Sequence, residues 1–150
     1  MRAVVQRVSQ AHVDIDGVRH SAIGKGLLVL LGIQVGDTHE DLEWLCGKVL
    51  RMRIFPDVAG VMNRDILQAE GDLLLVSQFT LHASTAKGNR PSYMRAARPE
   101  EALPLYHKAR DRFEAELGRP VRTGEFGAHM HVGLVSDGPV TIVIDSRVRE

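Results

Sequence analysis

The sequence predicts an α+β fold in a single domain, residues 1–150, built mostly of strands with two main helices. Three observations carry this. Alternating or continuously apolar runs recur along the chain, as "AVVQRVSQAHVDIDG", "GLLVLLGI", "DLLLVSQFTL" and "TIVID". Two longer stretches have helical spacing. Two helices are too few to link the strands of an alternating parallel sheet. The 150 residues, 44% hydrophobic and 25% charged, suit one soluble globular domain with its own core. Aromatics make up only 5%, so aliphatic side chains must fill that core.

The elements follow in order. In "AVVQRVSQ", Val5, Arg7 and Ser9 share one strand face and Val4, Gln6 and Val8 the other. Asp16-Gly17 reads as a hairpin turn into a weak second strand, "RHSAIGKG". "GLLVLLGI" lacks alternation, which predicts a strand covered on both faces. Asp37 as N-cap with Glu40 three residues on makes a capping-box pattern, and Leu42, Leu45, Val49 and Met52 follow at helical spacing. "RIFPD" suggests a short strand and "VAGVMNRDILQAEGD" turns. A buried strand is expected from about Asp72 to Leu81. Pro99 suits the first position of a second helix, with Leu103, Tyr106, Arg110, Phe113 and Leu117 on one side and Gly118 and Pro120 ending it. Two last strands flank "SDGPVT". Asp137-Gly138 there is ordinary hairpin punctuation, but Pro139 removes a backbone donor and pins φ where a strand should resume.

Composition excludes several functions. The single cysteine, Cys46, rules out an intrachain disulfide and a multi-cysteine zinc site, and its apolar helical setting reads as a packed thiol. The N-terminus has no long apolar region of a signal peptide, and no run approaches a membrane span. A cytoplasmic location is the default expectation. Nineteen basic residues balance nineteen acidic ones, so no overall basic excess marks a nucleic-acid binder. Yet "ASTAKGNRPSYMRAAR" carries Lys87, Arg90, Arg95 and Arg98 and no acid. That loop is either a seat for phosphate or a solvated loop lacking acids.

Three stretches could hold chemistry. If the strand runs through "SQFTLHAS", Gln78, Thr80 and His82 share a face, and hydroxyl beside imidazole suggests nucleophile and base. The plainer alternative is a polar strand end reaching solvent. His129 and His131 could chelate a metal if a third ligand came from elsewhere. The third stretch is Gly138-Pro139, for which local physics favours a trans turn. Neither phosphate-cradling glycine motif is present.

Taken together, "AVVQRV", "GLLVLLGI", "RIFPD", "MN" at 62 and 63, "VSQFTL", "KGNRPSY" and "DGPVT" resemble the D-aminoacyl-tRNA deacylases over essentially the whole chain. The resemblance implies a homodimer of mostly antiparallel, barrel-like sheets with active sites at the subunit interface. It implies hydrolysis of the ester joining a D-amino acid, or mischarged glycine, to the acceptor end of tRNA. It implies no metal and no cofactor, and no membrane partner. Ser77, Gln78, Phe79 and Thr80 match the motif lining the family's pocket. Gly138 and Pro139 match its Gly–cisPro element, which one subunit inserts into the other's pocket to exclude an L side chain. Arg7, Met130, Val140 and Thr141 are assigned to substrate binding, and Lys87, Arg90, Arg95 and Arg98 to tRNA. Ser136 stands where the family often has Asn, and Ser forms turn hydrogen bonds too. The alternatives kept open are a metal-dependent hydrolase using His129 and His131, and a non-catalytic RNA-binding module.

Overall fold

The structure is a computed structural model that describes residues 1–149. Strand β1 (Arg2–Ile15) turns through Asp16 and Gly17 into β2 (Val18–Ile23). Both turn residues have positive φ, 51° and 75°, the geometry that suits a tight two-residue hairpin. β3 (Gly26–Gly32) runs antiparallel to the first half of β1. Helix α1 (His39–Arg51) follows, then a small separate hairpin of β4 (Phe55–Pro56) and β5 (Met62–Arg64). β6 (Asp72–Ser77) lies parallel to β3, and after helix α2 (Pro99–Leu117) the short β7 (Arg122–Thr123) lies parallel to β6. β8 (His131–Asp145) pairs antiparallel with the other edge of β1. The strand order is β2-β1-β3-β6-β7 with β8 on β1. Ser21 Oγ donates to the Thr123 carbonyl at 2.7 Å, drawing β2 towards β7 and nearly closing a barrel.

The central strands β3 and β6 are buried on both faces. Ala3, Val5, Leu27, Val29, Leu31, Leu73 and Leu75 pack against the two helices. Val8, Ala11, Val13, Leu28, Leu74 and Val76 form a second cluster on the opposite face. Central strands with no polar face need no alternation, which explains the unbroken apolar runs. Cys46 is fully buried in the helix-side cluster, and burial pushes its thiol pKa up to about 12. It is a packing group, not a nucleophile.

Four expectations need correction. Helix α1 is capped one residue later than Asp37 and Glu40: Thr38 and Asp41 form the capping box. Asp37 is instead drawn inward, where Oδ1 meets the Met1 ammonium at 2.8 Å and Arg147 at 3.0 Å. Helix α2 buries Tyr106 and Phe113 as expected, with Leu117 packed against the core, but Ala102 and Ala109 take the buried positions in place of Leu103 and Arg110. The two alanines give that face its close approach, and a pattern weighted to large residues passes over them. β6 ends at Ser77, not Leu81, and Phe79–His82 form a short 3-10 turn. Finally, "SDGPVT" is no hairpin. Val8 faces Ser136 and Gln6 faces Thr141, so the chain bulges out over 137–140 and continues along β1 in the same direction. The Gly138–Pro139 peptide bond within this bulge is cis.

Candidate active site

A cavity of about 380 Å³ opens at the carboxyl ends of the parallel strands β3 and β6. Leu31 and Ile33 form its floor, with Ser77, Gln78 and Phe79 on one wall. Tyr93, Ala96, Ala97 and Arg98 form another, and Pro99, Ala102, Phe126 and Gly127 complete it. The lining is largely apolar, with a few polar groups at the rim, as small-molecule sites are.

Local sequence explains how these parts meet. Gln78 N–H donates to the Leu31 carbonyl at 2.8 Å, and then the chain leaves the sheet. The 3-10 turn comes down directly on Gly32. A Cβ there would sit 2.9 Å from the Gln78 carbonyl oxygen and 3.1 Å from both Leu81 Cβ and His82 Cδ2, so close approach requires glycine. The basic loop is folded back by paired backbone bonds between Ser84 and Ser92 at 2.8 and 2.9 Å. Val35 N–H to the Arg95 carbonyl (3.0 Å) and Ala97 N–H to the Ile33 carbonyl (2.9 Å) stitch it to the chain after β3. Tyr93 meets Phe79 edge-on at 5.2 Å between ring centres. Phe79 is nevertheless 56% exposed, a large apolar ring left open at the cavity mouth.

Ser77, Gln78 and Phe79 therefore face one cavity, while Thr80 does not line it. The Thr80 hydroxyl accepts from Gln78 Nε2 at 2.5 Å. His82 is buried beneath the turn, and desolvation lowers its pKa below the usual 6.5. The shared strand face expected for Gln78, Thr80 and His82 is absent because the strand has ended, and Thr80 and His82 make no nucleophile–base pair.

Apart from Arg98, the other named residues lie outside this cavity in the same chain. Gly138 and Pro139 are exposed on the β8 bulge. Arg7, only 8% exposed, holds that bulge from below. Its Nε donates to the Asp137 carbonyl at 3.0 Å and lies 3.2 Å from the Asp137 carboxylate, while Nη1 donates to the Ile54 carbonyl at 2.5 Å. Val140 closes against Gly138, Met130 packs beside the second core cluster, and Thr141 is exposed opposite Gln6. Lys87, Arg90, Arg95 and Arg98 are all exposed. Of these, Arg98 reaches the cavity wall. His129 and His131 stack edge-on, 5.1 Å between centres. No group of three His, Cys, Asp or Glu side chains able to hold a metal occurs among the described residues.

Sequence reasoning did not single out Ala96, Ala97, Phe126 or Gly127. The loop alanines had a usable signal, since they sit inside the acid-free stretch. Phe126 and Gly127 had none, because their place depends on β7 docking beside β6.

Comparison with known proteins completes the description. A family model described as D-Tyr-tRNA(Tyr) deacylase matches residues 4–145. A D-aminoacyl-tRNA deacylase of Parabacteroides distasonis is 56% identical over 150 residues, covering all of both chains. One of Akkermansia muciniphila is likewise 56% identical over the full length of both. Among solved structures, one titled c-Myc DNA Unwinding Element Binding Protein aligns with TM-score 0.90 at 39% identity, over 97% of this chain and 98% of that one. A probable eukaryotic D-amino acid tRNA deacylase shares the fold, with TM-score 0.79 at 20% identity over 95% and 97% of the two chains. With cavity, motif and full-length match in agreement, the chain belongs to the D-Tyr-tRNA(Tyr) deacylase family.

Proposed function

We propose that this protein hydrolyses the ester of D-aminoacyl-tRNA, releasing the D-amino acid and free tRNA, and also clears glycine mischarged on tRNA. The observation that carries the reading is the cavity walled by Ser77, Gln78 and Phe79 in a chain matching the family from residue 4 to 145. An aminoacyl ester is already activated. Positioning and stabilisation of the developing oxyanion can therefore supply much of the rate. Backbone N–H groups at the start of the turn, near Phe79 and Thr80, would face that oxygen. The neighbouring ribose hydroxyl would assist water, so no protein nucleophile and no metal is required. The test is incubation with D-Tyr-tRNA and L-Tyr-tRNA, with and without EDTA. D-selective hydrolysis insensitive to EDTA supports the reading. Loss with EDTA would favour a metal hydrolase, and binding without turnover an RNA-binding module.

In the proposed homodimer, Gly138 and Pro139 of one subunit enter the cavity of the other. The support is placement: the bulge is exposed and lies off its own chain's cavity. Backbone carbonyls held there would clash with an L side chain, while a D side chain would point away and glycine would pass. This is discrimination by exclusion. Arg7 supplies the rigidity by bridging the Asp137 carbonyl to Ile54. Arg7→Ala should thus raise L-Tyr-tRNA hydrolysis relative to D-Tyr-tRNA. An unchanged D/L ratio in a folded variant would contradict it.

Thr80→Ala should retain substantial activity, since its hydroxyl is bonded to an amide and to no base. A trapped acyl-enzyme on Thr80 would overturn this. Lys87, Arg90, Arg95 and Arg98 would contact phosphates of the acceptor end. None pairs with a carboxylate among the described residues, so their charge is available. Arg90→Ala with Arg95→Ala should weaken tRNA binding and reduce the magnitude of the log K against log salt slope by about two, one unit per lost contact. The D/L preference should not move. Normal binding at every salt concentration would remove the loop from the site.

A further inference from the structure

Among the described residues His82 is the one buried imidazole, 2% exposed, and it closes the turn that carries the cavity wall. Its ring lies against Gly32, where an added Cβ would be 3.1 Å from Cδ2, and it hydrogen-bonds to the Gly32 backbone. Nε2 is buried with no partner. The neighbouring Leu81 carbonyl accepts from Arg2 Nη1 at 2.7 Å, and Arg2 is anchored to Asp145 at 2.9 Å. Gln78 Nε2 ties the turn internally to the Thr80 hydroxyl at 2.5 Å, and Gln78 N–H joins its start to the Leu31 carbonyl. The turn's own backbone bonds are Leu81 N–H to Gln78 (3.3 Å) and Ala83 N–H to Thr80 (3.0 Å), and no side chain caps it.

We propose that His82 is a positioning residue for the deacylation: its neutral imidazole, wedged on Gly32 beneath the turn, fixes Gln78 and Phe79 at the wall and mouth of the cavity. The inference rests on the deacylase reading above. Neutrality matters because a second N–H, on Nε2, would be buried without an acceptor. It would also face like charge: the Met1 ammonium and Arg2 from the start of β1 both disfavour the cation, opposed by Asp37 from the loop before α1. Asp145 and Arg147, at the end of β8 and just beyond it, reach this cluster through Arg2 and Asp37. Burial is the largest influence and acts in the same direction as the cations. As pH falls below about 6.5, protonation of the unfolded chain is favoured over that of the seated ring, so the seat weakens with acid.

The test uses the full-length protein with two variants. His82→Leu keeps bulk but removes the donor to Gly32. His82→Gln keeps an amide donor. Steady-state hydrolysis of D-Tyr-tRNA is followed from about pH 5 to pH 8, the range in which a histidine titrates. His82→Leu is expected to lower kcat on the order of 100-fold with KM little changed, the cost of misplacing a site by about an ångström. His82→Gln should recover most of that loss, and relative to it the wild type should show an extra fall in kcat on the acid side. Independently of activity, amide hydrogen exchange across 79–83 should accelerate in His82→Leu, and the imidazole resonance absent from His82→Gln should titrate below 6.5. A folded His82→Leu with wild-type kcat and exchange would overturn the proposal. So would identical pH profiles for wild type and His82→Gln, even if the leucine variant did not fold. A wild type inactive on every aminoacyl-tRNA would sink the deacylase reading alone, because exchange and titration would still report on the wedge.

Discussion

Asp37→Asn will destabilise the fold by about 3–5 kcal/mol, the usual cost of removing one partner from a buried ion pair. Asp37 has no exposed side-chain surface, and neither does the Met1 ammonium 2.8 Å away. Its Oδ1 meets that ammonium and Arg147 as ion-pair contacts, not as aligned hydrogen bonds, while Oδ2 accepts the Gln34 N–H at 2.7 Å. Asn preserves the shape and one acceptor but removes the charge. The ammonium is then left buried with Ser146 Oγ, at 2.7 Å, as its remaining partner. Arg147 is 38% exposed, so Arg147→Ala should cost under about 1 kcal/mol, as solvent-screened pairs do. Urea unfolding followed by circular dichroism measures both. The expected result is a lower midpoint at unchanged slope, with the two variants well separated. An Asp37→Asn midpoint equal to that of Arg147→Ala would show that the ammonium does not depend on the carboxylate.

The same residue shows where sequence reading reached its limit. Asp37 before a helical stripe is a sound N-cap candidate, and the helix does begin there to within a residue. What the local pattern could not contain is a partner 36 positions away, which turned Asp37 inward and passed the cap to Thr38. The α2 stripe was right at Tyr106 and Phe113 and wrong at Leu103 and Arg110, because alanine faces the core at 102 and 109. The hydrophobic runs of β3 and β6 were fully legible, since a strand buried on both faces declares itself by lacking polar positions. "SQFT" was legible as a motif but not as a shape. Nothing local says that a strand rich in apolar residues stops at Ser77, because the turn that replaces it packs against Gly32 on a neighbouring strand, where only glycine leaves room. "SDGPVT" misled for a related reason. Asp-Gly is hairpin chemistry wherever two strands pair with each other, and here both flanks pair with β1 instead.

Ala96→Trp will abolish hydrolysis of D-Tyr-tRNA, reducing it to the spontaneous rate, without unfolding the protein. Ala96 is half-buried on the cavity wall, between the backbone anchors at Arg95 and Ala97. Its backbone N–H donates to the Tyr93 carbonyl at 3.0 Å, and this bond does not involve the side chain. An indole at this position would grow into a space of about 380 Å³ that is already open, so it need not displace packed core atoms. Overpacking of a closed core typically costs about 1–3 kcal/mol, and filling an open cavity avoids most of that. The ring would take up the volume a substrate group requires. Ala96→Ser, which adds one small polar atom, should remain active and serves as the control. Thermal melting should place both variants near the wild type, and only the tryptophan should lose turnover. tRNA binding through the exposed Lys87 and Arg90 should survive in the tryptophan variant, because neither residue lines the cavity. Wild-type turnover by a folded Ala96→Trp would mean that the reacting ester sits elsewhere, and the assignment of this cavity as the active site would fall with it.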